Sequence, residues 1–215
     1  MNFKGKNVLV TAGPTYEAID PIRFIGNHSS GKMGFTIAEA FAKAGAKVKL
    51  ISGPTSLQVK NPKISRTNVI SAKQMYDACL KYALQSDIIV MPAAVADFTP
   101  LKTSKQKIKK TGKNLVIELV PTKDILAELG KRKKRNQIII GFALETENEI
   151  ANAKEKLKNK NLDYIILNSP NDKNSAFGYD TNKITIISKK GEIVKFGLKT
   201  KTQAAQEILK VILKK

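Results

Sequence analysis

The sequence predicts an α/β protein: a Rossmann-like three-layer α/β/α arrangement with a mostly parallel sheet and a small added antiparallel sheet. Three observations carry this expectation. Four short runs are wholly or almost wholly apolar (Val8–Val10, Ile88–Met91, Ile138–Ile140 and Tyr164–Leu167), as strands buried on both faces are. Segments with helical spacing alternate with them. Two stretches, 101–120 and 181–197, break the alternation with hairpin-like patterns. No Pro- or Ser-rich linker and no internal repeat divides the 215 residues, so a single domain over 1–215 is expected.

In chain order, Val8–Val10 is a strand ending on Thr11-Ala12-Gly13-Pro14-Thr15. Phe35–Ala44 has helical spacing and stops at Gly45. Val48–Ile51 is the next strand, closed by Gly53-Pro54. Lys73–Leu84 reads as a helix, Ile88–Met91 as a strand and Asp124–Leu129 as a short helix. Ile138–Ile140 is a strand, Glu149–Lys158 a helix and Tyr164–Leu167 a strand. Within 101–120 a lysine-rich flexible loop reaches Gly112, and the alternation of Leu115, Ile117 and Leu119 then predicts an antiparallel strand or hairpin. Lys183–Ser188 and Glu192–Phe196, separated by a Lys-Lys-Gly turn, predict a second hairpin, and Thr202–Leu213 a closing helix.

The formal charge is +20, from 38 Lys and Arg against 18 Asp and Glu. A basic nucleic-acid-binding module is one reading of that excess. Arginine occurs only at 23, 66, 132 and 135, there is no Trp, and the lysines run along the whole chain. Nucleic-acid surfaces favour arginine forks and aromatic platforms, so a solvated surface is the better reading. A basic field that attracts small anionic substrates comes second. The run Lys131-Arg132-Lys133-Lys134-Arg135 is expected to be a solvated helix C-terminus, favoured by the helix dipole. No segment approaches the ~20 apolar residues of a membrane span. The N-terminus runs into a strand without a signal-peptide pattern, and the single Cys79 makes neither an internal disulfide nor a Cys-based zinc site. A cytoplasmic protein is expected.

Five segments carry chemistry. The small-residue turn Thr11–Thr15 follows a strand, where doubly wound sheets place ligands. Gly26-Asn27-His28-Ser29-Ser30-Gly31-Lys32-Met33-Gly34 opens the first clear helix. Its spacing begins like a P-loop, but Met33 stands where the motif needs Ser or Thr for magnesium. What remains is an anion site made of glycines, two hydroxyls and a helix N-terminus. His28, the only histidine, is more often structural than catalytic in such a place. An NAD(P)-binding oxidoreductase would need a G-x-G-x-x-G turn after the first strand, and that turn has none. Met91–Phe98 supplies small side chains for a planar ligand and Asp97 as an acceptor for ribose hydroxyls. The lysines of 107–110, on a polar loop, suit charge neutralisation at phosphorus as well as plain solvation. Gly141–Thr146 follows the strand Ile138–Ile140 and offers Phe142 to stack on a base; Lys156 and Lys160 share a helix face.

Together these segments resemble the bacterial phosphopantothenate–cysteine ligases (phosphopantothenoylcysteine synthetases) over essentially the whole chain. The most specific piece is Asp20–Gly34, followed in family order by Ala93–Asp97, the lysines of 107–110, Gly141-Phe142 with Glu145-Thr146, and Asn161-Leu162-Asp163. The resemblance implies a Rossmann-like fold whose small added sheet makes a homodimer. It implies that the 4′-phosphopantothenate carboxylate attacks the α-phosphate of CTP, giving an acyl-cytidylate and pyrophosphate. The cysteine amine then displaces CMP, with Mg2+ assisting at the triphosphate. Eukaryotic relatives use ATP.

Residue by residue, the resemblance assigns Asn27 to conversion of the acyl intermediate and Lys107 to its formation. Arg23, Asn27 and Ala94 are assigned to the phosphopantothenate side, Arg23 near the dimer contact. Asp97 holds the ribose and Phe142 lies against the nucleotide. Ser29, Ser30, Gly31, Lys32, Lys123, Asp124, Ile125, Leu126, Lys156 and Lys160 complete the nucleotide contacts. The chain departs from its relatives at Lys123, where a proline is common, and at Gly13-Pro14-Thr15, where many have two glycines. Many such ligases follow a flavin-dependent decarboxylase in one chain. The expectation here is a stand-alone ligase without flavin, with a separately encoded decarboxylase as the implied partner, and with neither nucleic acid nor membrane.

Overall fold

The computed structural model describes residues 1–112, 114–169 and 178–213; residue 113 of the expected 101–120 loop lies outside the described residues. The chain begins with β1 (Asn7–Ala12), a hairpin of β2 (Tyr16–Ala18) and β3 (Phe24–Gly26), and α1 (Lys32–Lys43). Next come β4 (Lys47–Ser52), β5 (Ile64–Asn68), α2 (Ala72–Ala83), β6 (Ile88–Met91) and β7 (Phe98–Pro100). They are followed by β8 (Leu119–Pro121), α3 (Ile125–Lys131), β9 (Ile138–Leu144), α4 (Glu149–Asn159) and β10 (Tyr164–Asn168). The chain closes with β11 (Thr181–Asn182), β12 (Ile184–Ser188), β13 (Ile193–Lys195), β14 (Lys199–Thr200) and α5 (Lys201–Leu213).

Eight strands form one sheet in the order β13-β12-β10-β9-β6-β1-β4-β5. The six from β10 to β5 are mutually parallel, while β12 and β13 join antiparallel. Among the parallel strands the order is that of the Rossmann dinucleotide-binding fold, with the switch between β1 and β6. Alternate side chains feed two cores. Val8, Val10, Leu50, Ile140 and Ile166 meet α1 and α5 on one face. Leu9, Ile51, Ile89, Ile139 and Ile165 meet α2, α3 and α4 on the other. Each such side chain, fully withdrawn from water, contributes roughly 1.5–3 kcal/mol. Cys79 lies wholly within the second core, and burial pushes its thiol pKa up, so it is inert.

The antiparallel additions are dispersed. The hairpin expected in 181–197 extends the edge of the main sheet as β12 and β13, while β2–β3, β7–β8 and β11–β14 form separate two-stranded pairs. Leu115 and Ile117 precede the pairing, which involves Leu119–Pro121 against Phe98–Pro100. Gly141 and Phe142 lie inside β9 rather than after a strand. The first helix starts at Lys32, three residues before the expected start; Lys32 and Met33 line a cavity at its N-terminus, and Met33 also packs against the first core. Strand β5 carries one buried apolar residue, Ile64, at the sheet edge, so no periodicity announces it.

Candidate active site

The loops leaving β1 and β6 are tied together at the switch point. Ala94 N donates to Gly13 O (3.0 Å), and Thr15 N to Ala94 O (3.3 Å). Two fully buried threonines brace them: Thr11 Oγ1 accepts from Ala93 N (3.2 Å) and Thr15 Oγ1 from Ala96 N (2.9 Å). Helix α1 docks its N-terminus against this turn. Gly31 has φ 80°, and a Cβ there would stand 3.1 Å from Gly13 N. A Cβ at Gly34 would stand 2.5 Å from Thr11 O. No side chain caps α1; the Ser29 and Ser30 hydroxyls accept from Gly31 N and Lys32 N at long range (3.3 and 3.4 Å). The partial positive charge of the helix end is therefore directed at the crevice.

That crevice is a cavity of ≈ 620 Å³, a size suited to small-molecule ligands. Of the residues assigned by resemblance, Asn27, Ser29, Ser30, Gly31, Lys32, Ala94, Asp97, Lys123, Asp124, Ile125, Leu126, Phe142, Lys156 and Lys160 line it. Arg23 and Lys107 do not, and neither does the exposed His28.

Asn27 reaches across with its amide nitrogen, donating to Ala94 O (3.0 Å) and Val95 O (3.3 Å). Two carbonyl partners fix which end is nitrogen, so Oδ1 is the atom presented as an acceptor. Asp124 caps α3 through Ala127 N (2.9 Å) and pairs with Lys160 (2.7 Å). Burial pushes the Asp124 carboxyl pKa up, but Lys160 and the cap bond outweigh it and the net direction is down. Lys156, one turn from Lys160, is pulled below its ordinary value by burial first and by Lys160 second, against partial support from Glu145, Asp124 and Asp97. Lys123 lies 5.0 Å from the Tyr76 ring centroid.

Lys201, Asn168 and Asn182 also line the cavity and were not anticipated. Lys201 is 5% exposed, donates to Tyr179 O (2.5 Å), and is pulled down by burial and by Lys32, which pairs with Asp180. The signal for Lys201 was present. It falls in phase with Ala204, Ala205, Ile208, Leu209 and Ile212 on the buried stripe of α5. The Oδ1 atom of Asn168 is buried with no hydrogen-bond partner among the described residues. Much of the basic run after α3 is consumed internally: Arg132 pairs with Glu128, Lys133 with the shielded Asp163 (2.6 Å), and Lys134 with Leu84 O.

Fold and site together define a Rossmann-like α/β protein with a cavity at its switch point, lined by a helix N-terminus and several lysines. The chain belongs to the DNA/pantothenate metabolism flavoprotein C-terminal domain family, whose model matches residues 3–215. It is 52% identical over 98% of its length to a protein of an unidentified prokaryote named cysteine/cysteine sulfinic acid decarboxylase. It is 45% identical over its whole length to the coenzyme A biosynthesis bifunctional protein CoaBC of Haemophilus influenzae. It spans only 59% and 53% of those two relatives. Among solved structures, the C-terminal domain of a CoaBC protein superposes with a TM-score of 0.83 at 42% identity, covering 97% of this chain and 94% of that one.

Proposed function

We propose that the cavity is the active site of a ligase that forms 4′-phosphopantothenoylcysteine from 4′-phosphopantothenate and cysteine in coenzyme A biosynthesis. The observation that carries this reading is the convergence on one cavity of the uncapped α1 N-terminus, Asn27 and a wall of lysines at 123, 156 and 160. A carboxylate is a poor acyl donor because its leaving group is oxide. In the first step a carboxylate oxygen attacks the α-phosphorus of CTP and the bond to pyrophosphate breaks. In the second the cysteine amine attacks the acyl carbon, the bond to CMP breaks, and the amine proton passes to solvent or phosphate. The helix N–H groups and lysines stabilise charge on the phosphates. In this reading Asn27 Oδ1 accepts from the incoming amine. Asp97 takes the ribose and Phe142 the base. Lys107 acts from its loop in the first step. Mg2+ would be held chiefly by the substrate's phosphate oxygens, where it would neutralise charge; among the described residues there is no cluster of three or more His, Cys, Asp or Glu.

The working unit is a homodimer in the cytoplasm, served by a decarboxylase; among the described residues no helix is long and apolar enough to cross a membrane. The test is pyrophosphate release with 4′-phosphopantothenate, cysteine and Mg2+, run with CTP and with ATP. Release that requires phosphopantothenate and prefers CTP is expected. Preference for ATP would keep the ligase and refute the nucleotide assignment. Release of CO2 from cysteine or cysteine sulfinate without nucleotide would favour the activity named for the first relative. Asn27→Asp sets a carboxylate oxygen against two carbonyls, so pyrophosphate release should persist while amide formation falls by about 100-fold.

A further inference from the structure

The turn between β2 and β3 holds a carboxylate with more partners than a turn needs. The Asp20 side chain is fully shielded from solvent. Its Oδ1 accepts from Ile22 N and Arg23 N (2.9 Å each), which already satisfies an Asx-type turn. Its Oδ2 accepts from Arg23 Nε (3.0 Å) and also from Ile108 N (3.1 Å), far along the chain. The second guanidinium nitrogen of Arg23 donates to Ile108 O (2.7 Å). The backbone N–H and C=O of Ile108 are therefore both engaged by one ion pair. Two more bonds dock the same loop on the same turn: Ser104 N to Ile19 O (2.9 Å) and Thr103 Oγ1 to Ala18 O (3.1 Å).

We propose that Asp20 and Arg23 are positioning residues: together they form a socket for the Ile108 backbone and so fix where the adjacent Lys107 stands. The connection from Pro100 to Leu119 is longer than the ~12–15 residues beyond which structureless loops are usually functional or disordered. Its first part carries Lys102, Lys105, Lys107, Lys109 and Lys110 and no acid. Such a segment repels itself and would also repel Arg23. The Asp20 carboxylate removes that obstacle, because it neutralises the guanidinium that grips the loop carbonyl. Arg23 then acts through the loop, which explains why it lies off the cavity although it belongs to the same sequence run as Asn27. The importance of Lys107 rests on the ligase reading; the docking of the loop does not.

The experiment has two arms. Tryptic cleavage after Lys102, Lys105, Lys109 and Lys110 is followed on the folded protein without ligands, where cleavage tracks the population of the opened loop. Asp20→Asn should raise the cleavage rate about tenfold, since a charge-assisted bond is lost, with the global unfolding midpoint little changed. Ile108→Pro deletes the N–H that Asp20 accepts but leaves the ion pair intact, and should do the same. The double variant should be cleaved no faster than the faster single one, as coupled sites require. In the second arm, both variants should lower kcat for pyrophosphate release about tenfold while KM for phosphopantothenate stays within about threefold. Unchanged cleavage in Asp20→Asn, or additive effects in the double variant, would overturn the socket. Faster cleavage with a KM rise alone would overturn the positioning role and assign the pair to substrate binding. Faster cleavage in protein lacking any pyrophosphate release would leave the socket standing and remove the ligase reading.

Discussion

Burial of Lys156 in the cavity wall disfavours its charged form, and Lys160 one turn away adds repulsion. For a lysine whose folded pKa lies below its unfolded value, the unfolded chain binds more protons between the two values, and stability rises with pH across that window. At neutral pH the protein therefore carries a charge it would fold better without. Lys156→Met keeps the aliphatic packing and removes the charge, so the melting temperature should rise by roughly 2–4 °C for about 1 kcal/mol relieved. The affinity for nucleoside triphosphate should fall about tenfold in the same variant. Thermal scans and nucleotide titration read the two effects separately. A lower melting temperature would show that Lys156 is held by partners strong enough to offset its burial. Asp20 has the opposite sign. Arg23 first, with backbone N–H groups aiding against burial, holds its carboxyl well below the usual range. Its contribution is present above the ordinary aspartate value and is lost only as pH falls through the lowered one, so the loop socket stays charged throughout the neutral range.

At the scale of elements, the strands buried on both faces and the helices of 72–83 and 149–159 could be read from periodicity, because their apolar residues meet a core at fixed phase. The cavity lining was also readable, but through motif resemblance, since small residues and lysines have no period. What escaped was structure held by backbone and charge. Strand β5 carries a single core residue, and β2–β3 is fixed by pairing and by Glu17 Oε1, which accepts from Ala72 N (2.7 Å) at the start of α2. Lysine at 201 was masked by a lysine-rich surface, although the phase of α5 marked it. The element on which the site depends most is α1, whose N-terminus reaches the turn after β1 only because Gly34 has no side chain. A methyl group there would stand 2.5 Å from Thr11 O and 2.6 Å from Ala12 Cβ. Gly34→Ala should push the helix end outward, costing about 1–3 kcal/mol of stability. It should weaken triphosphate binding more than phosphopantothenate binding. Chemical denaturation and separate titrations of the two ligands test this; full stability and unchanged nucleotide affinity would show that α1 can re-seat.

At the scale of the molecule, a chain of formal charge +20 resists self-association unless it does so through a surface poor in charge and rich in apolar area. The β2–β3 hairpin and the β7–β8 pair carry such apolar area, edged by Arg23 and the lysines of the 102–110 loop. Ile22, Phe24, Phe98, Leu101, Leu115, Val116 and Leu119 are all exposed there, Val116 at 87% and Ile22 at 64%. Phe24 is stacked on Tyr16 (3.8 Å between ring centroids), which stiffens the hairpin and presents its outer face as a fixed shape. A stable homodimer buries roughly 1,200 Å² or more in total, and this run of apolar side chains is the region suited to supply its centre. The protein should therefore sediment as a dimer at micromolar concentration. Ile22→Asp combined with Val116→Asp should give a monomer with unchanged circular dichroism, since both side chains project into solvent and burying two unpaired carboxylates costs several kcal/mol. A dimer that survives the double substitution would place the interface elsewhere. A monomeric parent protein would refute the dimer.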